Sequence, residues 1–193
     1  MATIENKTLE AIKRNGKLLL SISKERIWEE FKKSFTQAKD FNSYLKLLSD
    51  LNLYEYIFPG ANINTDLVDS KDFVVIIANL FKNEYLSGLE RKLVQEYKIE
   101  LETATKATFL ISFLDFKVED VFSFYKKRNQ CAITDQTILE WLKVQGINDD
   151  TLIKFIHYRP SVSSKDLMDK GITGKNLGIK INELEIELFK KYI

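Results

Sequence analysis

Cysteine is nearly absent from this sequence of 193 residues: Cys131 stands alone, with no second cysteine for a disulfide or a zinc cluster. The single histidine, His157, equally excludes a helical phosphohydrolase, which needs several His and Asp ligands. Only two prolines and seven glycines interrupt the chain, so little stops it from forming helices. A dominant charge is missing too. Lys and Arg number 29 against 28 Asp and Glu, a formal net of +1, so any contact with nucleic acid must come from local patches. The longest largely apolar run, Phe73 to Leu80, is far too short to cross a bilayer. The opening residues carry charge and asparagine where a secretory signal is apolar, and a soluble, cytoplasmic protein is expected. The lone Cys131 fits that reducing compartment as a buried, inert thiol.

What is present is enough apolar matter for a real core, 45% of residues, with 12% aromatics. Apolar positions recur at three- and four-residue steps, which predicts an all-α fold, an elongated multi-helix array. A first helix shows Leu9, Ile12, Gly16 and Leu19 on one face. Ser23 is placed to cap a second, with Glu25 in its first turn and Ile27, Phe31 and Phe35 inside. Another helix, through Tyr44, Leu45, Leu48 and Leu51, is stopped by Pro59 and Gly60, and the polar stretch Ala61 to Lys71 is the best linker candidate. Phe73 to Ile77 suits a buried strand or a buried helix, and the continuation through Phe81 favours a helix. Further helices are expected around Tyr85 to Tyr97, Thr103 to Leu114 and Val118 to Lys127. Thr134 is placed to cap a helix closed by Gly146, and Asp149 or Asp150 the next. The last helix, after Gly174, shows a seam of Leu177, Ile181, Leu184 and Leu188 that wants a partner surface. No internal repeat and no low-complexity tract is found.

Nucleotidyl transfer needs paired carboxylates to hold Mg²⁺ on a triphosphate, usually Asp-x-Asp beside a glycine-rich turn. The sequence has no Asp-x-Asp and no Gly-Gly. Asp149 and Asp150 are adjacent, so on a helix they point about 100° apart, and capping accounts for them better than metal binding. His157 has neither a visible nucleophile nor an orienting partner. The stretch Thr134 to Tyr158 has the length of a DNA-binding helix-turn-helix, yet its second helix begins with acids and has few base-reading residues, so a packed helical hairpin is preferred. The most specific segment is Lys170-Gly-Ile-Thr-Gly-Lys-Asn-Leu-Gly178. Positive φ at Gly171 and Gly174 would aim backbone N–H groups outward at the start of the last helix. Asn176 lies in that first turn, and Lys165, Lys170, Lys175 and Lys180 would add a basic edge fit for RNA phosphates. The segment also resembles the helix-hairpin-helix phosphate clamp, with one residue more between its glycines. An ordinary corner that merely needs glycines explains it as well.

Further stretches carry a family resemblance. Thr8-Leu-Glu-Ala-Ile-Lys-Arg-Asn15 with Ile22-Ser-Lys-Glu-Arg-Ile-Trp-Glu-Glu-Phe31 is similar to the neck of class II tRNA nucleotidyltransferases, the CCA-adding enzyme and poly(A) polymerase family. Tyr44 to Pro59 looks like the start of the body, and Val162 to Leu167 with the glycine corner and last helix resembles the tail. The resemblance implies a neck-like hairpin over 1–40, a body-like region over 41–130 and a tail-like region over 131–193. For Glu25, Arg26 and Glu30 it implies a structural ion-pair set that stabilises the neck, which Arg26 and Glu30 suit by their i,i+4 spacing.

The resemblance also implies what this chain would not do alone. The glycine-rich turn, the metal-binding carboxylates and the element that reads CTP or ATP belong to a catalytic head, so Mg and nucleotide cofactors, and CCA addition itself, would belong to a missing head. Glu119-Asp120 imitates only the first two residues of the nucleotide-reading element, in the wrong order along the chain. The expected function is a tRNA-binding module for tRNA processing, with tRNA and a separate head chain as partners. The alternative is a helical protein-interaction or assembly subunit without RNA binding, self-associating through an exposed apolar neck surface that includes Trp28 and Phe35.

Overall fold

The computed structural model describes residues 4–193; residues 1–3 of the expected first segment lie outside the described residues. Twelve α-helices and two short 3₁₀ segments follow one another, with no strand among the described residues. They divide into two compact units, Met1–Thr108 and Phe109–Ile193. The expected body stretch, 41–130, straddles that border.

Unit one begins with α1 (Asn6–Asn15), which runs into a 3₁₀ segment, Gly16–Ser21. The expected apolar face breaks at this change of winding: α1 buries no residue, while Gly16 is buried. Gly16 is needed there because a Cβ would come within 2.8 Å of Leu53 Cδ2 and 3.0 Å of Tyr56 Cε2. In α2 (Lys24–Gln37) the Ser23 hydroxyl accepts the Arg26 N–H, as the sequence predicts. Its inner face meets α3 (Phe41–Asp50), α4 (Tyr54–Ile57) and α5 (Phe73–Phe81) in an aromatic core. Phe31 lies 5.6 to 5.8 Å from Trp28, Phe41 and Phe58, and Phe35 lies 4.8 Å from Phe73. These are the offset and edge-on spacings that aromatic quadrupoles favour.

Two expectations fail in this unit. Trp28 is no exposed surface: it is 3% accessible, its indole N–H donates to Glu100 Oε2 at 2.7 Å, and Phe35 is half-buried. The stretch Ala61 to Lys71 has no regular structure but is tied down, with the Asn64 N–H donating to Leu80 O at 2.8 Å and Asn79 Nδ2 to Asp66 O at 2.7 Å. It is a strap over α5, whose residues Val75 to Phe81 are all buried. Phe73 to Ile77 is helical, and α6 (Leu89–Gln95) and the first part of α7 (Leu101–Phe113) complete the unit.

Unit two takes the end of α7, then α8 (Val121–Cys131), α9 (Asp135–Val144), α10 (Asp150–His157), α11 (Ser164–Asp169) and α12 (Gly174–Tyr192). Thr134 caps α9 and Asp149 caps α10. Phe113, Phe116, Phe124, Phe155 and Phe189 build the core, with Phe116 and Phe155 at 4.7 Å. The inward stripe of α12 is not the expected seam. Leu177, Ile181 and Leu184 are half-buried and Leu188 is exposed, while Glu185 and Phe189 are fully buried. The helix is rotated by one position because Glu185 is satisfied: it accepts from the Tyr158 hydroxyl at 2.5 Å and from the N–H groups of Ser161 at 2.9 Å and Val162 at 2.6 Å. Among the described residues no helix is long and apolar enough to cross a membrane.

Candidate functional site

The corner between α11 and α12 holds the predicted site residues. Ser163 caps α11, and the helix ends with Gly171 at φ +82°. There the Ile172 N–H donates to Leu167 O at 3.0 Å and the Gly171 N–H to Met168 O at 2.8 Å, the paired bonds of a left-handed helix ending. Those two N–H groups are therefore spent inside the turn, and the conformation of Gly171 is explained by helix termination. Gly174, at φ +60°, is different. It opens α12, whose N-cap Thr173 makes no side-chain cap, so the first N–H groups of α12 have no side-chain acceptor. A Cβ on either glycine would meet open space.

Gly171, Asn176 and Lys180, with Ile172, Thr173, Ile179 and Glu183, line an open groove of about 410 Å³. Lys165, Lys170, Gly174 and Lys175 lie outside that lining, and all four are exposed. Lys180 is not free: its Nζ lies 3.0 Å from Glu183 Oε2, which places a carboxylate in the groove. The corner can offer a helix N-terminus and exposed cations to an anion, but it is less basic than its lysines suggest.

The neck residues form a different pattern from the one expected. Glu25 pairs with Lys98 at 3.4 Å, and Glu30 with Lys33 at 3.8 Å. The Glu25 carboxyl is held below its ordinary range, first by the backbone N–H at the start of α2, against the opposing pull of desolvation, then by Lys98. Arg26 enters no ion pair among the described residues, so the expected Arg26–Glu30 pair does not form. An exposed pair in this orientation, with the acid C-terminal to the base, gains only a few tenths of a kcal/mol. Arg26 and Glu30 instead border an apolar groove of about 410 Å³ between the 3₁₀ segment, α2, α3 and α4.

A second basic surface escaped the sequence reading. Lys7, Lys13, Arg14 and Lys17 are exposed, and none enters an ion pair among the described residues. Glu10 is the only acid between Asn6 and Ser21, and that local imbalance was the available signal. The apolar periodicity of Leu9 and Ile12, which the helix does not bury, masks it.

Residues 3–63 match a protein family described as "Probable RNA and SrmB- binding site of polymerase A". This range holds α1 and α2 but not the glycine corner. The zebrafish (Danio rerio) protein named CCA tRNA nucleotidyltransferase 1, mitochondrial, is 29% identical over 209 residues, which covers 97% of this chain and 47% of that protein. The human (Homo sapiens) protein of the same name is 30% identical over 207 residues, covering 95% of this chain and 46% of its own length. The chain thus spans just under half the length of these relatives. Along nearly all of its own length, the chain is similar to a part of these CCA tRNA nucleotidyltransferases.

Proposed function

We propose that this chain is a tRNA-binding helical module that holds its RNA by phosphates and shape, and that catalysis by the CCA-adding reaction requires a head carried elsewhere. The observation that carries the reading is the likeness, along nearly the whole chain, to proteins named as CCA tRNA nucleotidyltransferases. The family matched by residues 3–63 is described as binding RNA, and that range includes the unpaired cations of α1. We assign the first contact surface to Lys7, Lys13 and Arg14. A second lies at the corner of Lys165, Lys170, Gly174, Lys175, Asn176 and Lys180. Both offer cations or backbone N–H groups and few base-reading side chains, which suits recognition of folded RNA over sequence. Mg²⁺, CTP and ATP would be bound by the head, since this sequence has neither Asp-x-Asp nor a Gly-Gly turn.

A fluorescence titration with labelled tRNA tests the assignment. The double variants Lys13→Glu/Arg14→Glu and Lys175→Glu/Lys180→Glu are each expected to weaken binding roughly tenfold. Unchanged binding in one variant removes that surface, and unchanged binding in both rejects the reading. The alternative, an assembly subunit indifferent to RNA, draws on the exposed Leu18 and Leu20. Light scattering separates the two, because only the alternative predicts an oligomer whose mass tRNA does not alter.

A further inference from the structure

The groove beside Arg26 is a feature that phosphate contact does not use. Its walls are Leu19, Ile22, Ile27, Leu48, Leu53 and Ile57. On a 3₁₀ segment residues three apart share a face, so Gly16 and Leu19 look inward, and Ile22, just past the segment, lines the groove mouth. Leu18 and Leu20 are turned out, 60% and 55% accessible, and Ile22 is 39% accessible at the groove edge. The apolar surface thus continues beyond the groove, which suits a macromolecular occupant better than a small ligand.

Charge says what kind of occupant. Two ionised side chains sit one helical turn apart on the α2 wall, Arg26 and Glu30. Glu30 is already answered within the chain by Lys33 at 3.8 Å. Arg26 is exposed and has no carboxylate partner among the described residues, which leaves it the one unanswered cation in the groove lining. The groove therefore presents an apolar floor with uncompensated positive charge at its edge.

We propose that this groove docks an amphipathic helix of a partner protein, with apolar side chains at i, i+3, i+4 and i+7 in the groove and a carboxylate on Arg26. A nucleic-acid strand fits less well, because the floor carries no exposed aromatic platform on which bases could stack: Phe31 is buried, and Tyr44 is about half-buried in ring contact with Phe41. The proposal does not depend on RNA binding, and Lys7, Lys13 and Arg14 are not part of the groove lining.

The probe is a labelled helical peptide of about 16 residues with leucines at that spacing and glutamates on its flanks, compared by fluorescence anisotropy with the same peptide carrying lysines. The expected result is binding of the acidic peptide, weakened about tenfold by Arg26→Glu and by Ile22→Glu, and much weaker binding of the basic peptide. Both substitutions are at exposed positions, and circular dichroism checks that the variants keep their fold. The proposal is overturned if the acidic peptide does not bind, if both peptides bind alike, or if neither substitution matters. It is equally overturned if a single-stranded oligonucleotide, and not the peptide, loses binding in Ile22→Glu.

Discussion

Glu185 shows how one buried charge fixes a helix. Its carboxylate collects the Tyr158 hydroxyl and two backbone N–H groups from the segment after α10, joining α12 to that segment. Glu185→Ala would leave those donors without an acceptor and is expected to cost about 2 to 4 kcal/mol. Glu185→Gln keeps an acceptor and should cost less; denaturant melts of the two variants measure the difference. The same contact bears on pH. Burial first, and then the hydrogen bond to Glu185, raise the Tyr158 hydroxyl above the ordinary tyrosine range, and burial raises Tyr54 likewise. A group whose folded pKa is raised holds its proton better in the fold than in the unfolded chain. Below the unfolded value near ~10 its contribution to stability is constant, and as pH climbs above that value stability falls. Alkaline unfolding followed by phenolate absorbance should show Tyr54 and Tyr158 ionising together with loss of helix; their ionisation in the intact fold would contradict this.

Helix ends show what the sequence discloses and what it hides. Caps at Ser23, Thr134 and Asp149 are legible because each bond closes within three residues. The left-handed ending at Gly146 is legible from the glycine itself, which takes positive φ without steric cost. Asn52 and Ala132 end α3 and α8 by the same pair of bonds; asparagine tolerates positive φ, so Asn52 suits the role by type, whereas alanine at 132 gives no such signal. The strap after Gly60 reads as a linker because its anchors, Leu80 for Asn64 and Asn79 for Asp66, are distant in sequence. The seam of α12 misleads because a pattern rule prices Glu185 as an exposed charge, and the donors that make its burial tolerable lie more than twenty residues away. In the candidate site, both glycines with positive φ are foreseen, whereas the helix-ending bonds that consume Gly171 and the pairing of Lys180 with Glu183 are not. Paired substitutions check the register of α12. Phe189→Ala should cost about 3 to 5 kcal/mol, and Leu188→Lys, on the exposed side, within about 0.5 kcal/mol. A thermal melt in which Leu188→Lys is the more damaging change would mean that the expected seam faces inward after all.

At the scale of the whole molecule, a net charge of +1 gives no general attraction for RNA, so the account rests on where cations are left unpaired. Many lysines are spent within the chain: Lys32 on Glu100, Lys46 on Asp50, Lys92 on Glu84, Lys106 on Glu102 and Lys190 on Glu119. Lys7, Lys13, Arg14 and Lys17 have no such partner among the described residues, and neither do Lys165, Lys170 and Lys175. Each compact unit therefore carries its own anion-seeking surface, one on α1 and one at the α11–α12 corner. The salt dependence of tRNA affinity tests this most directly, because each phosphate contact adds nearly one to the slope of log K against log salt. The account predicts a steep fall in affinity with salt, with the slope reduced by about two in Lys13→Glu/Arg14→Glu and by about one or two in Lys175→Glu/Lys180→Glu. An affinity independent of salt, or a slope unchanged in both variants, would contradict it.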